Sequence, residues 1–263
     1  MCAETGRNTD PRDASELVAL IQYGLRNVTE SAVAIPFPLV CPVCGGTRES
    51  ANAIACHACR ISLGTLQQGL CPHCRRYRTF SDTVCDECGT DQIPRSVAVV
   101  ALLDSAWRDI VHAFKYRGDQ SLAQPLGALM AESLPGGLSV DAVIPVPTEK
   151  HKQRERGYGH AELLAETIGG HFDTPVYEGA LERTRRTKDQ TRLSGDQRRA
   201  NLRGAFRVSA NCDVNTQSIL LVDDITTTGA TLSEASRALN DAGATSILAV
   251  VLCLNLGIVS DGV

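Results

Sequence analysis

A chain of 263 residues and 28.1 kDa with 43% apolar residues is long enough to bury one substantial core and to carry a smaller module beside it. A formal net charge of −4 excludes uniform electrostatic adhesion to nucleic acid and leaves only local patches open. The longest apolar run, Ile247 to Val259, is broken by Asn255 and falls short of the roughly 18 residues that a bilayer span needs, so no membrane insertion is expected.

Residues 1–34 read as an N-terminal extension. Its start, MCAETGRNTDPRDASE, has no apolar core behind a basic end, so it does not read as a secretory signal and a cytoplasmic location is expected. From Asp13 a capping-box-like start leads into Leu17, Leu20, Ile21, Leu25 and Val28, an apolar stripe at the spacing of a short amphipathic helix.

Residues 35–92 have too few large apolar side chains for a core and are punctuated by cysteine. The chain holds eleven cysteines, which in a reducing compartment point to metal rather than disulfides. Eight of them form four C-x-x-C pairs: Cys41 and Cys44, Cys56 and Cys59, Cys71 and Cys74, Cys85 and Cys88. Two-residue spacing lets both thiolates of a tight turn reach one ion, and two such turns complete a tetrahedral zinc site. The nearly equal gaps favour one structural zinc on Cys41, Cys44, Cys56 and Cys59 and a second on Cys71, Cys74, Cys85 and Cys88. A cross-braced pairing remains the alternative. The ligands do not choose between a structural, a protein-docking and a nucleic-acid role, because metal binding is also what lets so small a segment fold.

Residues 93–263 alternate strand-like and helix-like segments, the pattern of an α/β domain with a mostly parallel sheet flanked by helices. VAVVALL is the first strand. A helix capped by Asp104 or Ser105 follows, with Trp107, Ile110, Val111 and Phe114 on one face. DAVIPV is the next strand, and a helix carrying Ala161, Leu164, Ala165 and Ile168 is expected to close at Gly169-Gly170. An extended segment around Pro175 to Leu181, the strands GAFRV and ILLV, a helix with Leu232, Ala235 and Leu239, and the strand ILAVVLCL complete the domain.

The chemistry concentrates in SILLVDDITTTGATLSEA, residues 218–235. An apolar strand that runs into Asp223 and Asp224 and then into a Thr/Gly-rich turn before a helix gathers N–H groups and hydroxyls at the positive end of a helix dipole, which suits a phosphate. Neither a Walker loop nor a Rossmann glycine pattern occurs. Two acids beside a phosphate make sense if the ligand also carries hydroxyls or a metal. A ribose 5-phosphate meets both demands: Thr227, Thr228, Gly229, Ala230 and Thr231 cradle the phosphate, while Asp223 and Asp224 accept from the 2- and 3-hydroxyls, with or without Mg²⁺. Lys150, Lys152, Arg154 and Arg156 follow the DAVIPV strand, where open α/β sheets bind ligands, and suit a pyrophosphate. Residues 181–207 hold nine basic side chains against three acids, a cationic flap with a local net charge of +6.

Four apolar residues, two acids and T-T-G-x-T closely resemble the phosphoribosyl-pyrophosphate (PRPP) motif of type I phosphoribosyltransferases. FKYRGDQSLAQPLG, AVIPVPTEKHKQRERGYGHAELLA and RTRRTKDQTRLSGDQRRANLRGAF, together with the cysteine module, resemble the successive blocks of the ComF family over roughly residues 41–253. The resemblance implies a zinc-ribbon module ahead of a type I phosphoribosyltransferase fold, and an association with DNA uptake in transformable bacteria. One departure stands out: where that family usually has R-G-[FY]-N-Q, this chain has Arg156-Gly157-Tyr158-Gly159-His160.

Two classes of function follow as expectations. In the first, an enzyme transfers phosphoribosyl from Mg-PRPP to an unknown acceptor, expected to attack through nitrogen: Asp223 and Asp224 hold the ribose, and Lys150, Arg154, Arg156, Arg185 and Arg186 stabilise the departing pyrophosphate. In the second, a non-catalytic protein senses PRPP or a nucleotide while its zinc ribbons and flap engage single-stranded DNA or a DNA-uptake protein.

Overall fold

A computed structural model describes residues 39–66, 69–71, 77–78, 94, 96–148, 158–185 and 201–256. The expected N-terminal helix, Cys74, Cys85, Cys88, Lys150, Arg154, Arg156, Arg186 and most of the cationic flap lie outside the described residues.

In chain order the described elements are α1 (His57–Ile61), β1 (Gly69–Leu70), β2 (Tyr77–Arg78), β3 (Val97–Leu102), α2 (Ser105–Tyr116) and a 3₁₀ turn (Gln120–Leu122). Next come α3 (Ala123–Glu132), β4 (Ala142–Pro145), α4 (His160–Phe172), β5 (Leu181–Arg183) and β6 (Phe206–Val208). The last are β7 (Ser218–Thr226), α5 (Ala230–Asp241) and β8 (Ser246–Leu254). Asp104 caps α2 as expected, accepting from the Trp107 N–H at 2.9 Å.

The near-continuous apolar runs of β7 and β8 suit strands covered on both faces. They lie inside a six-stranded sheet of order β2-β1-β3-β8-β7-β4, in which β3, β8, β7 and β4 are parallel and β1 pairs antiparallel with both β2 and β3. Because side chains alternate along a strand, Leu220, Val222, Val250 and Leu252 join the core under α2, α3 and α4. Ile219, Leu221, Ala249 and Val251 pack with Leu232, Ala235 and Leu239 of α5 on the other face. Strands β5 and β6 form a separate antiparallel pair.

Three features differ from the sequence reading. Helix α4 does not close at Gly169-Gly170 but runs through both to Phe172, ending at Asp173 in the left-handed region (φ 51°). Gly169 is there for close approach, since a Cβ would stand 2.5 Å from Val176 Cγ2 and 2.8 Å from the Thr174 carbonyl. Helix α3 has no counterpart in the sequence reading. Its Pro125 sits in the first turn, where a missing N–H costs nothing. Thirdly, β7 does not stop at the acids: Asp223, Ile225 and Thr226 still pair with Val251, Cys253 and Leu254 of β8.

The cysteine segment is built into this architecture. Strand β1 extends the sheet at β3, and Cys41, Ile54 and Ala55 are buried in the same cluster as Trp107 and Phe114. Arg48, itself buried, donates to the Ala53 carbonyl at 3.0 Å, to Asp119 at 3.2 Å and to Ser121 at 2.7 Å. Trp107 Nε1 donates to the Gly64 carbonyl at 2.9 Å.

Candidate functional site

The last partner of β4 on β7 is Val222, so Asp223 and Asp224 project beyond the end of β4 while still held by β8. Alternation sends their side chains to opposite faces of the sheet, although the Asp224 charge still acts on Asp223. Each is tied to the backbone that follows: Asp223 Oδ1 accepts from the Asp224 N–H at 2.8 Å, and Asp224 Oδ1 from the Ile225 N–H at 2.5 Å.

Asp224, on the α2 face, meets Lys115 Nζ at 2.7 Å. Burial pushes its carboxyl up, but the charge and hydrogen bond of Lys115, helped by His160, outweigh burial and hold it below the usual carboxylate range. Asp223 is raised to about 7 by burial and by the Asp224 charge, with Lys115 and Arg183 opposing. Arg183, on β5, donates from Nε to the Pro147 carbonyl at 3.0 Å, and its guanidinium carbon stands 5.1 Å from the centre of the Phe206 ring.

Thr227 and Thr228 follow β7, Gly229 takes the left-handed conformation (φ 73°) as the residue before α5, and Ala230 and Thr231 open that helix. The turn and the acids are therefore contiguous in space, as expected from the sequence. The wall behind the turn comes from the cysteine segment: Leu70 and Cys71 line one cleft with Thr226, Thr227, Thr228 and Gly229. Arg185 is elsewhere engaged, donating to the carbonyls of Asn201 and Arg203 at 3.0 and 3.1 Å.

At the Gly159-His160 departure, Gly159 precedes α4 and His160 begins it. A Cβ at 159 would meet the Glu162 carboxylate, which would have to swing away. His160 is buried with its ring edge-on to Phe114 and Tyr158, at 5.0 and 5.2 Å between centroids. Sequence reasoning does not single out Lys115 as a site residue; it includes Arg183 only as one of the basic side chains of the flap, and His160 only as a departure from the R-G-[FY]-N-Q pattern. Lys115 lies within FKYRGDQSLAQPLG, but no local pattern there indicates that it pairs with Asp224.

Cys41, Cys44, Cys56 and Cys59 bring their sulfurs within 4.8 Å of one another. Tetrahedral zinc–thiolate bonds of about 2.3 Å require sulfurs about 3.8 Å apart, and Cys44 and Cys56 stand at 3.6 Å. Burial opposes ionisation of Cys41, but backbone donors at Cys56, Cys44 and Val43 lower it to about 6. Its neighbours Cys44 and Cys56 push Cys59 up to about 12. Four thiolates cannot coexist there without a cation, and the set fits one zinc ion. Of the expected second set, only Cys71 is among the described residues, where it is buried.

Parts of this chain resemble known proteins. Residues 155–257 match the phosphoribosyl transferase domain family. Over 222 residues the chain is 28% identical to DNA utilization protein YhgH of Escherichia coli O157:H7, covering 76% of this chain and 97% of that protein. Competence protein F of Haemophilus influenzae is 29% identical over 220 residues, with 73% and 93% covered. A glutamine PRPP amidotransferase from B. subtilis, complexed with ADP and GMP, is 19% identical, with a TM-score of 0.35 over 51% of this chain and 26% of that one. The parallel sheet, the acid pair and the matched domain define a protein with a phosphoribosyltransferase fold preceded by a cysteine module. Its relatives, a DNA utilization protein and competence proteins, are what the resemblance to the ComF family implies. Among the described residues, no helix is long and apolar enough to cross a membrane.

Proposed function

We propose that the protein binds Mg-PRPP across the turn between β7 and α5 and transfers its phosphoribosyl group to an acceptor, releasing pyrophosphate. The observation that carries this reading is the junction of two adjacent carboxylates with a hydroxyl-rich turn at the start of a 12-residue helix. Thr227, Thr228, Gly229, Ala230 and Thr231 hold the 5-phosphate, and Asp223 and Asp224 accept from the ribose hydroxyls. In the transfer the bond from C1 to the pyrophosphate oxygen breaks, and its electron pair leaves with pyrophosphate. A bond from the acceptor, a nitrogen, to C1 forms, and the acceptor's proton passes to solvent. Lys150, Arg154, Arg156, Arg185 and Arg186 balance the leaving group's charge, Arg185 after exchanging its present carbonyl partners. Mg²⁺ bound with PRPP supplies further neutralisation of the pyrophosphate. Zinc on the cysteine clusters is structural.

Thermal unfolding of the zinc-loaded protein with and without Mg-PRPP tests the reading. Ligand at ~100 times its Kd adds about 2.7 kcal/mol to stability. The parent protein is expected to shift upward and the Asp223→Asn/Asp224→Asn double variant to stay where it is. No shift in the parent would retire the turn as a PRPP site.

A second reading draws on the nine basic side chains of residues 181–207 and on the names of the relatives, one a DNA utilization protein and one a competence protein. Here the pocket senses PRPP or a nucleotide, and the basic segment tracks single-stranded DNA or engages a DNA-uptake protein. Affinity for single-stranded DNA should then fall steeply as salt rises, and fall again on replacing Arg198 and Arg199 by alanine. Salt-insensitive binding would remove this segment as a DNA site.

A further inference from the structure

Carboxylates that grip a sugar diol need a counter-charge, either a divalent ion carried in by the ligand or a basic side chain built into the protein. Here a basic side chain is in place. Lys115 Nζ lies 2.7 Å from Asp224 Oδ2, with the two side chains only 15% and 18% exposed. The lysine sits in the last turn of α2, where the negative end of the helix dipole favours a cation. On the other face of the sheet, Arg183 is oriented by the Pro147 carbonyl and the Phe206 ring, and its charge acts on Asp223. Two carboxylates thus stand between two fixed cations, one reached through α2 and one through β5.

We infer that Lys115 is the resident counter-cation of the acid pair, so that the ribose 5-phosphate half of the ligand binds without any divalent ion. The inference rests on the reading of the turn as a phosphoribosyl site and deepens it. It assigns the need for Mg²⁺ to the pyrophosphate half alone. Lys115 is a positioning residue: it keeps Asp224 ionised and fixed through Oδ2, while Asp224 Oδ1 and Asp223 Oδ1, each already accepting one backbone N–H, retain lone pairs for hydroxyls, as does Asp223 Oδ2.

The test is calorimetric binding of ribose 5-phosphate to the zinc-loaded full chain, in buffer from which Mg²⁺ is simply omitted, since a chelator would also strip zinc. The Kd should change by no more than about twofold on adding millimolar Mg²⁺, because no charge remains for the ion to balance. Lys115→Gln should weaken binding by about tenfold or more without Mg²⁺, the scale of one lost charged hydrogen bond, and regain part of that loss when Mg²⁺ is added. Lys115→Arg should keep binding independent of Mg²⁺. A merely structural lysine would not create a dependence on Mg²⁺.

If the parent protein binds ribose 5-phosphate only with Mg²⁺, the counter-cation role is overturned while the turn survives as the site. The role is likewise overturned if Lys115→Gln binds as the parent does. If ribose 5-phosphate binds under neither condition, the inference and the reading beneath it both fall. The parent's response to Mg²⁺ needs no variant, so a misfolded Lys115→Gln would not shelter the idea.

Discussion

Asp223 and Asp224 are neighbours in sequence and strangers in environment. Asp224 shares its face with Lys115, whereas Asp223 carries the cost of burial beside a like charge and is raised to about 7. A carboxyl raised above its unfolded value binds its proton more tightly in the folded state. Stability from this group therefore declines as pH rises from about 4 towards 7, and the penalty is fully present above that. Asp223→Asn removes the penalty, so the variant should gain stability over the ligand-free parent between pH 5 and pH 8. Paired denaturant titrations would measure the gain, and an equal difference at both pH values would contradict the assignment. Arg48 is the opposite case: a buried guanidinium whose side chain is 1% exposed and whose ionic partner, Asp119, is 28% exposed. Asp119→Ala leaves that charge with the Ala53 carbonyl and the Ser121 hydroxyl as its acceptors, and should cost about 2 kcal/mol, less than a fully buried pair because solvent screens Asp119. At this scale, legibility follows contiguity. The acids and threonines are readable because one strand and one turn place them together. Lys115, Arg183 and Arg48 reach their partners only through tertiary packing.

Among elements, the pair Gly169-Gly170 shows why a residue type can mislead about a boundary. Both read as a helix stop, yet α4 continues, and the two glycines meet opposite surroundings: Val176 and the Thr174 carbonyl crowd one, and nothing lies within 4 Å of a Cβ on the other. Gly169→Ala should lower stability by about 1–3 kcal/mol through overpacking. Gly170→Ala, exposed inside the helix, should raise it by about 0.5–1 kcal/mol. Thermal melts of the two single variants decide it, and a common sign would refute the packing account. Strands β3, β4, β7 and β8 and helices α2, α4 and α5 are legible because apolar period and caps agree. Helix α3 is not, since Pro125 and Gly127 mask its period. Gly127 is there because α4 comes close: a Cβ would stand 2.5 Å from Thr167 Cβ. Of the strand pair β5–β6, β6 is legible as the GAFRV strand and β5 is not, beyond the end of an extended segment at Leu181; their pairing is hidden, because partners separated by the flap carry no local mark.

For the whole molecule, the question is whether the cysteine segment is an appendage or a wall of the α/β domain. Its side chains Cys41, Ile54 and Ala55 are in one core with Trp107 and Phe114, β1 lengthens the sheet, and Leu70 and Cys71 line the cleft behind the turn between β7 and α5. Zinc on Cys41, Cys44, Cys56 and Cys59 would then hold together more than its own loops, since folding free energy and metal binding are linked in such a site. The chain contains one tryptophan, Trp107, which is fully buried and donates to Gly64 just after the last of these cysteines. Chelating the metal should therefore expose Trp107 and shift its emission to longer wavelength. A loss of about 3 kcal/mol would lower Tm by roughly 6–12 °C in a domain of this size. Ribose 5-phosphate affinity should weaken in parallel, because the turn loses its rear wall. An appendage would behave otherwise: metal removal would leave the tryptophan emission and the sugar phosphate affinity unchanged, and the two parts of the chain would then be independent in spite of their shared core.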